Sequence, residues 1–379
     1  MKSKLILGLS GLLVLGACTN DEVVDVKEKG TIDFRPLVEA STRTVETTAA
    51  NISSFGVTAL NGTAQWGVMT VTKGSSGWSA SPKTFWPNTA TQQLDFYAYA
   101  PTSTAGVTIS GTEKKITGYT PSATVTDQQD LVIAYNTGTM QTNATTGVPM
   151  YFKHALSQIE VKAKCSSSNM KVEIIGVKIA QAVSSGDFTY PSAVTQGGVG
   201  NELARTLWTA GSNKVSYMVQ GASAVTLTDA AQSVMPTASG NFMLIPQSIT
   251  AWNNKNNTET NRGSYISVLC RISNVSGGVE TQIFPTAAGK YGFSAVAIGT
   301  TEKDKTWEPG KKYIYTLEFF GTNSGGGKLD PDPTVPTGGG GDENVDPTDP
   351  THGGEDILKP ITFTVDVEGW TPLPVDLSM

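Results

Sequence analysis

Short runs in which apolar and polar residues alternate recur along this 379-residue chain, each bounded by Gly, Ser, Asn or Pro. A period of two is the mark of a strand with one face buried. Ile32 and Phe34 alternate with Asp33 and Arg35 ahead of Pro36, and comparable runs follow at 52–60, 66–72, 94–99 and 131–134. That spacing predicts a β-sandwich. A second series opens where Ile159, Val161 and Ala163 alternate with Glu160, Lys162 and Lys164, and continues at 171–179, 241–245, 265–272 and 312–320. In the last of these, Tyr313, Tyr315, Leu317 and Phe319 share a face. Residues 151–163 read as the hinge between the two series, with a domain edge near 150–157. Amphipathic helical runs of more than a few turns and repeats of fixed period are both missing.

The two ends of the chain depart from this pattern. Lys2 and Lys4 precede an apolar stretch at 5–15, too short to be a permanent span, and Leu15-Gly16-Ala17-Cys18 closes it. This is a lipobox: small residues fit a signal peptidase groove, and the Cys18 thiol takes the lipid. The acidic Thr19-Asn20-Asp21-Glu22 that follows resembles a surface-export signal. From 321 to 359 the chain turns to Gly-Gly-Gly, Asp-Pro and Gly-Gly-Gly-Gly. So few apolar groups predict a mobile linker. Beyond it Ile361, Phe363, Val365 and Val367 alternate strictly with Thr362, Thr364, Asp366 and Glu368, ahead of Gly369-Trp370. A strand so well patterned needs a sheet to join.

Composition narrows the function classes. Charged residues make up 16% of the chain against 40 Gly and 19 Pro, which favours strands and turns over helices. The formal charge of −6 becomes −8 once Lys2 and Lys4 leave with the signal, and no Lys/Arg block exists to hold nucleic acid. Apart from Cys18 there are Cys165 and Cys270. An oxidising compartment permits a disulfide between them if their strands are neighbours, and two separate buried thiols satisfy the sequence equally. With only His154 and His352, and no Cys-x-x-Cys pair, neither a metal site nor a redox role is expected.

Catalytic signatures are equally sparse. The carboxylates of the 321–359 stretch lack the order of a calcium loop, and no nucleophile elbow, phosphate loop or zincin motif occurs. No carboxylate pair stands out for glycosidase chemistry. The seven tryptophans, at 66, 78, 86, 208, 252, 307 and 370, are scattered as core residues are. Arg43 lies in the Thr-rich Ser41-Thr42-Arg43-Thr44, a backbone a protease can thread, whereas Arg35 is shielded by Pro36; the residues alone fit an ordinary surface arginine better than a cleavage site.

Taken in order, several segments together resemble the fimbrillin family of lipoprotein-derived pilins. They are the lipobox at Cys18, Phe34 followed by Thr42-Arg43, Thr84-Phe85-Trp86-Pro87, Leu94-Asp95-Phe96-Tyr97-Ala98-Tyr99-Ala100-Pro101, and Asp130-Leu131-Val132. The series runs on through residues 152–159, Leu244-Ile245-Pro246-Gln247, residues 307–313 and the strand ending at Trp370. The resemblance implies an all-β protein of two tandem transthyretin-like Greek-key sandwiches at 44–155 and 156–322. Around them it implies a signal peptide at 1–17, a propeptide with a removable strand at 18–43, a linker at 323–359 and a donor arm at 360–379.

It also implies a structural pilin of surface fimbriae that serves adhesion, without enzymatic activity or cofactor. The precursor would be held at the outer membrane through its lipid, and an Arg-specific protease would cut between Arg43 and Thr44. Loss of the first strand would open a groove for Ile361, Phe363, Val365 and Val367 of another pilin subunit. Whether the subunit is stalk, tip or accessory, which host or bacterial ligand it meets, and whether a last strand behind so long a linker is donated or folds back on its own subunit stay open. The competing expectation is a surface lipoprotein that keeps its lipid and binds glycan or host protein.

Overall fold

The computed structural model describes residues 30–38, 52–75, 77–191, 203–236, 240–255, 263–341, 344–346 and 350–369. The N-terminal half carries β1 (Phe34–Val38), β2 (Ser54–Asn61), β3 (Ala64–Gly74), β4 (Gly77–Ser81), β5 (Leu94–Ala100), β6 (Val107–Ile109), β7 (Lys114–Tyr119), β8 (Val132–Gly138), the one-turn helix α1 (Met140–Asn143) and β9 (Val148–His154). The C-terminal half carries β10 (Ser157–Cys165), β11 (Met170–Val183), β12 (Gly186–Thr189), β13 (Trp208–Ala210), β14 (Lys214–Thr226), β15 (Gln232–Ser233), β16 (Phe242–Leu244), β17 (Gln247–Ser248), β18 (Tyr265–Ser276), β19 (Val279–Phe284), β20 (Gly292–Ala297), β21 (Thr306–Trp307), β22 (Lys311–Phe319), β23 (Lys328–Leu329) and β24 (Thr362–Gly369). The all-β expectation holds.

Seven of the nine strands of the N-terminal half form one sheet in the order β1-β9-β8-β5-β2-β3-β4. Its ladders are antiparallel except that β1 runs parallel to β9. Between β2 and β3 the chain reverses through Gly62, whose φ of +60° suits the two-residue turn that matches strand twist. The sheet curls until its ends approach: Ile32 N–H donates to Thr84 O and Trp86 N–H to Gly30 O, both at 2.8 Å.

In the C-terminal half two sheets face each other. One runs β15-β10-β22-β24, with β16 also on β10, and the other runs β14-β11-β18-β20-β23, with β19 on β18. Between them lies a core in which Ile159, Val161, Tyr315 and Leu317 meet Val177, Ile179, Ile266 and Val268. The predicted face of Tyr313, Tyr315, Leu317 and Phe319 is buried there. Near 155/156 the chain passes from β9 to β10 through the buried Ala155 and Leu156. Those residues join a core fed by both halves, including Tyr97, Ile116, Phe188, Trp208 and Ile245. A small sheet, β13-β12-β7-β6, also draws strands from both sides of that point.

The stretch expected to be a mobile linker is instead a strap laid over the C-terminal half. Residues 325–329 and 354–360 run side by side: Gly326 N–H donates to Ile357 O, Ile357 N–H to Gly327 O and Leu329 N–H to Glu355 O. Further along, Val335 and Val345 pack on Met218, Leu269 and Phe293. At its centre is a buried ion pair, Lys178 Nζ to Asp330 Oδ2 at 2.8 Å, with both side chains almost wholly enclosed. Asp330 Oδ1 also accepts from Tyr265 OH at 2.9 Å and Asp332 N–H at 2.8 Å, and Lys178 Nζ donates to Asp332 O and lies 4.1 Å from the centre of the Phe293 ring. The composition argument fails here because glycine buys backbone approach rather than apolar burial. A Cβ on Gly327 would lie 2.0 Å from Ser294 Oγ, and one on Gly326 would lie 2.8 Å from Ile357.

The disulfide option is also corrected. Cys165 and Cys270 are both free and buried. Cys165 ends β10 in one sheet, while Cys270 lies in β18 of the facing sheet beside Ile174 of β11. Burial pushes the Cys270 thiol well above its ordinary range, and the Cys165 thiol is raised for the same reason.

Two outcomes follow. Asp330→Ala or Lys178→Met alone should cost about 3–5 kcal/mol in urea unfolding by leaving one buried charge unpaired, while the Lys178→Met, Asp330→Leu double variant should recover most of that loss. Native protein exposed to a thiol reagent without reductant should leave Cys165 and Cys270 unlabelled, and denaturation should then add two labels per chain.

Candidate strand-exchange site

Two edge strands carry the residues singled out in the sequence. β1 ends the N-terminal sheet, pairing through Phe34↔Val148, Arg35↔Pro149, Pro36↔Met150, Leu37↔Tyr151 and Val38↔Phe152. Alternation decides which residues point inward: Ile32 is 1% exposed and Phe34 4%, while Asp33 and Arg35 are half-buried. The Phe34 ring meets Phe96 edge-on at 5.5 Å and Phe55 at 6.1 Å. Phe55 in turn meets Phe152 at 5.0 Å, and Phe96 meets Trp86 at 5.9 Å. Val148 N–H donates to Asp33 O at 2.8 Å, and Gly147, at a φ of +70°, lets β9 pass close to this segment.

β1 is thus a plug in an aromatic groove. Beyond Ile32 its ladder partner among the described residues is β9. Removing it would bare the β9 edge and the rings of Phe55 and Phe96 together. Backbone groups left unpaired away from water are costly, so the groove would demand another strand. Sequence reading found the alternation but missed the parallel pairing with β9, because no local signal specifies a partner more than a hundred residues away.

The other edge strand, β24, lies antiparallel on β22 of its own chain, from Lys311↔Gly369 to Glu318↔Thr362. Ile361 and Val365 are each 5% exposed and join the C-terminal core. Phe363 is half-buried, 5.9 Å from the Tyr315 ring, and Val367 is 40% exposed. Of the two placements open to this strand, donation to a second subunit or folding back, the structure has it on its own subunit. Cys18, Arg43, Thr44 and Trp370 lie outside the described residues.

Other chemistry is limited. His154 ends β9 with Nδ1 2.7 Å from Asp130 Oδ2, both buried. No group of three or more metal-ligating side chains occurs among the described residues, and none of their helices is long and apolar enough to cross a membrane. An open cleft of about 360 Å³ is lined by Thr104, Tyr119, Thr120, Ser122, Asp127 and Gln129 among others. Of the described tryptophans, Trp66 is the most exposed, at 39%, its indole N–H donating to Phe85 O at 2.8 Å.

With this geometry in place, the chain can be compared with known proteins. Among solved structures, a protein described as a cell adhesion protein from Bacteroides uniformis is 14% identical, with a TM-score of 0.47 over 90% of this chain and 98% of its own. A similarly described protein from Bacteroides ovatus is 12% identical, at 0.46 over 91% and 99%. A fimbrilin from Porphyromonas gingivalis is 11% identical, at 0.42 over 92% and 99%. No curated protein sequence matches. The assignment rests instead on the family match, which runs over residues 42–329, most of the chain. By that match the chain belongs to the fimbrillin-like family.

Proposed function

We propose that the chain is a structural subunit of a surface fimbrium that serves adhesion, assembled by exchanging one terminal strand for another. The observation that carries this reading is β1: an edge strand laddered to β9, with Ile32, Phe34 and Pro36 buried, lying just ahead of Arg43 in sequence. Cys18 carries the precursor to the outer membrane on a lipid, and an Arg-specific protease cuts between Arg43 and Thr44. β1 then departs with the lipid. The arm of another pilin subunit enters the groove by strand addition, presenting Ile361, Phe363, Val365 and Val367. No catalytic step and no cofactor take part.

β24 must leave β22 before it can be given away. The half-buried Phe363 and exposed Val367 support an easy release, since little apolar cover is lost at that end. A second reading has its own support. A strand seated at home and a hydroxyl-lined cleft with an aromatic ring suit a monomer that keeps its lipid and binds glycan or host protein.

N-terminal sequencing of the cell-associated protein separates the two: free Thr44 is expected for the pilin, and an acylated, blocked Cys18 would favour the anchored monomer. Purified precursor treated with an Arg-specific protease should polymerise, and deletion of residues 361–379 should leave it monomeric. Polymers of the deleted protein would sink the exchange reading. Phe34→Ala should cost the precursor about 3–5 kcal/mol in urea unfolding. The same substitution should leave the finished polymer unchanged, because β1 is no longer there.

A further inference from the structure

A lysine and an aspartate shut away together, as Lys178 and Asp330 are at 1% exposure each, are costly to keep as ions, and here the groups around them are arranged unevenly. Asp330 Oδ1 takes two donors, Tyr265 OH at 2.9 Å and Asp332 N–H at 2.8 Å. Among the described residues, Oδ2 meets only Lys178 Nζ, at 2.8 Å. Nζ in turn donates to Asp332 O at 2.6 Å and Thr334 O at 3.4 Å, and the Phe293 ring covers it at 4.1 Å. A neutral amine has two N–H bonds and one lone pair. With both hydrogens held by those carbonyls, the lone pair is left to face the Asp330 carboxyl group.

We propose that Lys178 and Asp330 condense within the folded chain to an amide, an isopeptide cross-link that fastens the strap to β11. One proton first passes from Nζ to Oδ2, giving amine and carboxylic acid, and a site without water favours this exchange of two charges for none. The Nζ lone pair then attacks the carboxyl carbon and the Nζ–Cγ bond forms. Negative charge gathers on Oδ1, where Tyr265 and the Asp332 amide already donate. The Cγ–Oδ2 bond breaks as Oδ2 takes a second proton from nitrogen. Of the three ammonium protons, one stays on the new amide and two leave with Oδ2 as water, so the step needs no oxidant, nucleotide or other co-reactant. Folding supplies the proximity that such a condensation lacks in solution, and enclosure keeps water from reversing it. Because β11 is laddered on both sides, to β14 and β18, a pull on the chain beyond residue 330 would pass into the middle of that sheet rather than peel the strap away. The cross-link does not depend on exchange of the terminal strands.

Peptide mapping of the full-length protein, allowed to fold, incubated, then unfolded in urea and cut with trypsin, reads the bond directly. The expected product is one branched peptide that joins the segment containing Lys178 to the segment containing Asp330, lighter than their sum by one water and uncut after Lys178. Lys178→Arg and the Lys178→Met, Asp330→Leu double variant should give separate peptides only. The recovery expected above for the double variant is measured against chain that has not yet condensed. Condensed wild type should outlast the double variant in urea, because the link holds residues 178 and 330 together in the unfolded chain as well. Tyr265→Phe keeps the ring and removes one donor to Oδ1, so in freshly made protein it should slow the appearance of the branched peptide about a hundredfold. Folded, incubated wild type that is cut after Lys178 and yields no branched peptide would overturn the cross-link. A branched peptide that forms at the wild-type rate in Tyr265→Phe would overturn the role given to Oδ1.

Discussion

A strand at the edge of a sheet is held by one ladder of backbone hydrogen bonds and by whatever side chains it buries, and both ends of this chain depend on that balance. β1 has a parallel ladder to β9 and the anchors Ile32 and Phe34. β24 has an antiparallel ladder to β22 and the anchors Ile361 and Val365. β24 borders one strand, and the β1 segment is bonded on its other side at its start, where Gly30 and Ile32 meet Trp86 and Thr84, so neither is held by a full ladder on both sides. The remaining strands of the large sheets are tied on both sides or to central strands and supply a rigid frame. Detachable ends on a fixed body are what a subunit needs if its contacts in a fibre repeat contacts it already makes with itself.

The strap limits how that freedom is used. Lys178 and Asp330 are enclosed together, with Tyr265 and the backbone of Asp332 satisfying the carboxylate. An ion pair so placed adds little net stability over an apolar pair, but it penalises any arrangement that separates its members. It therefore fixes where the strap crosses the outer face of the sheet built on β11 and β18. β24 begins directly beyond the return of the strap at 354–360, so that point rather than the full Gly- and Pro-rich stretch fixes where the strand starts.

Much of the fold was legible in the sequence wherever one face of a strand is wet and the other dry. The rows at Ile159, Val161 and Ala163, at Tyr313 to Phe319 and at Ile361 to Val367 emerged as strands because the side-chain period is two. The inward residues of β1 were legible for the same reason. Strand partners were not, since alternation specifies a face and says nothing about the neighbour. The curled N-terminal sheet, the pairing of β1 with β9, the shared core at Ala155 and Leu156 and the separation of the two thiols all depend on contacts distant in sequence. The Gly- and Pro-rich stretch misled for a physical reason: its order comes from close backbone approach and one buried charge pair, which counts of apolar residues do not register.

The sequence by itself determined that the chain is built of strands and that Ile361, Phe363, Val365 and Val367 share one face of the last of them, because alternation is a local property. Only the tertiary structure decided that the first strand fills an aromatic groove and the last lies on its own subunit. Those are choices among partners, and they are made by the combined burial of side chains far apart in sequence, such as Phe34 with Phe96 and Val365 with Tyr315.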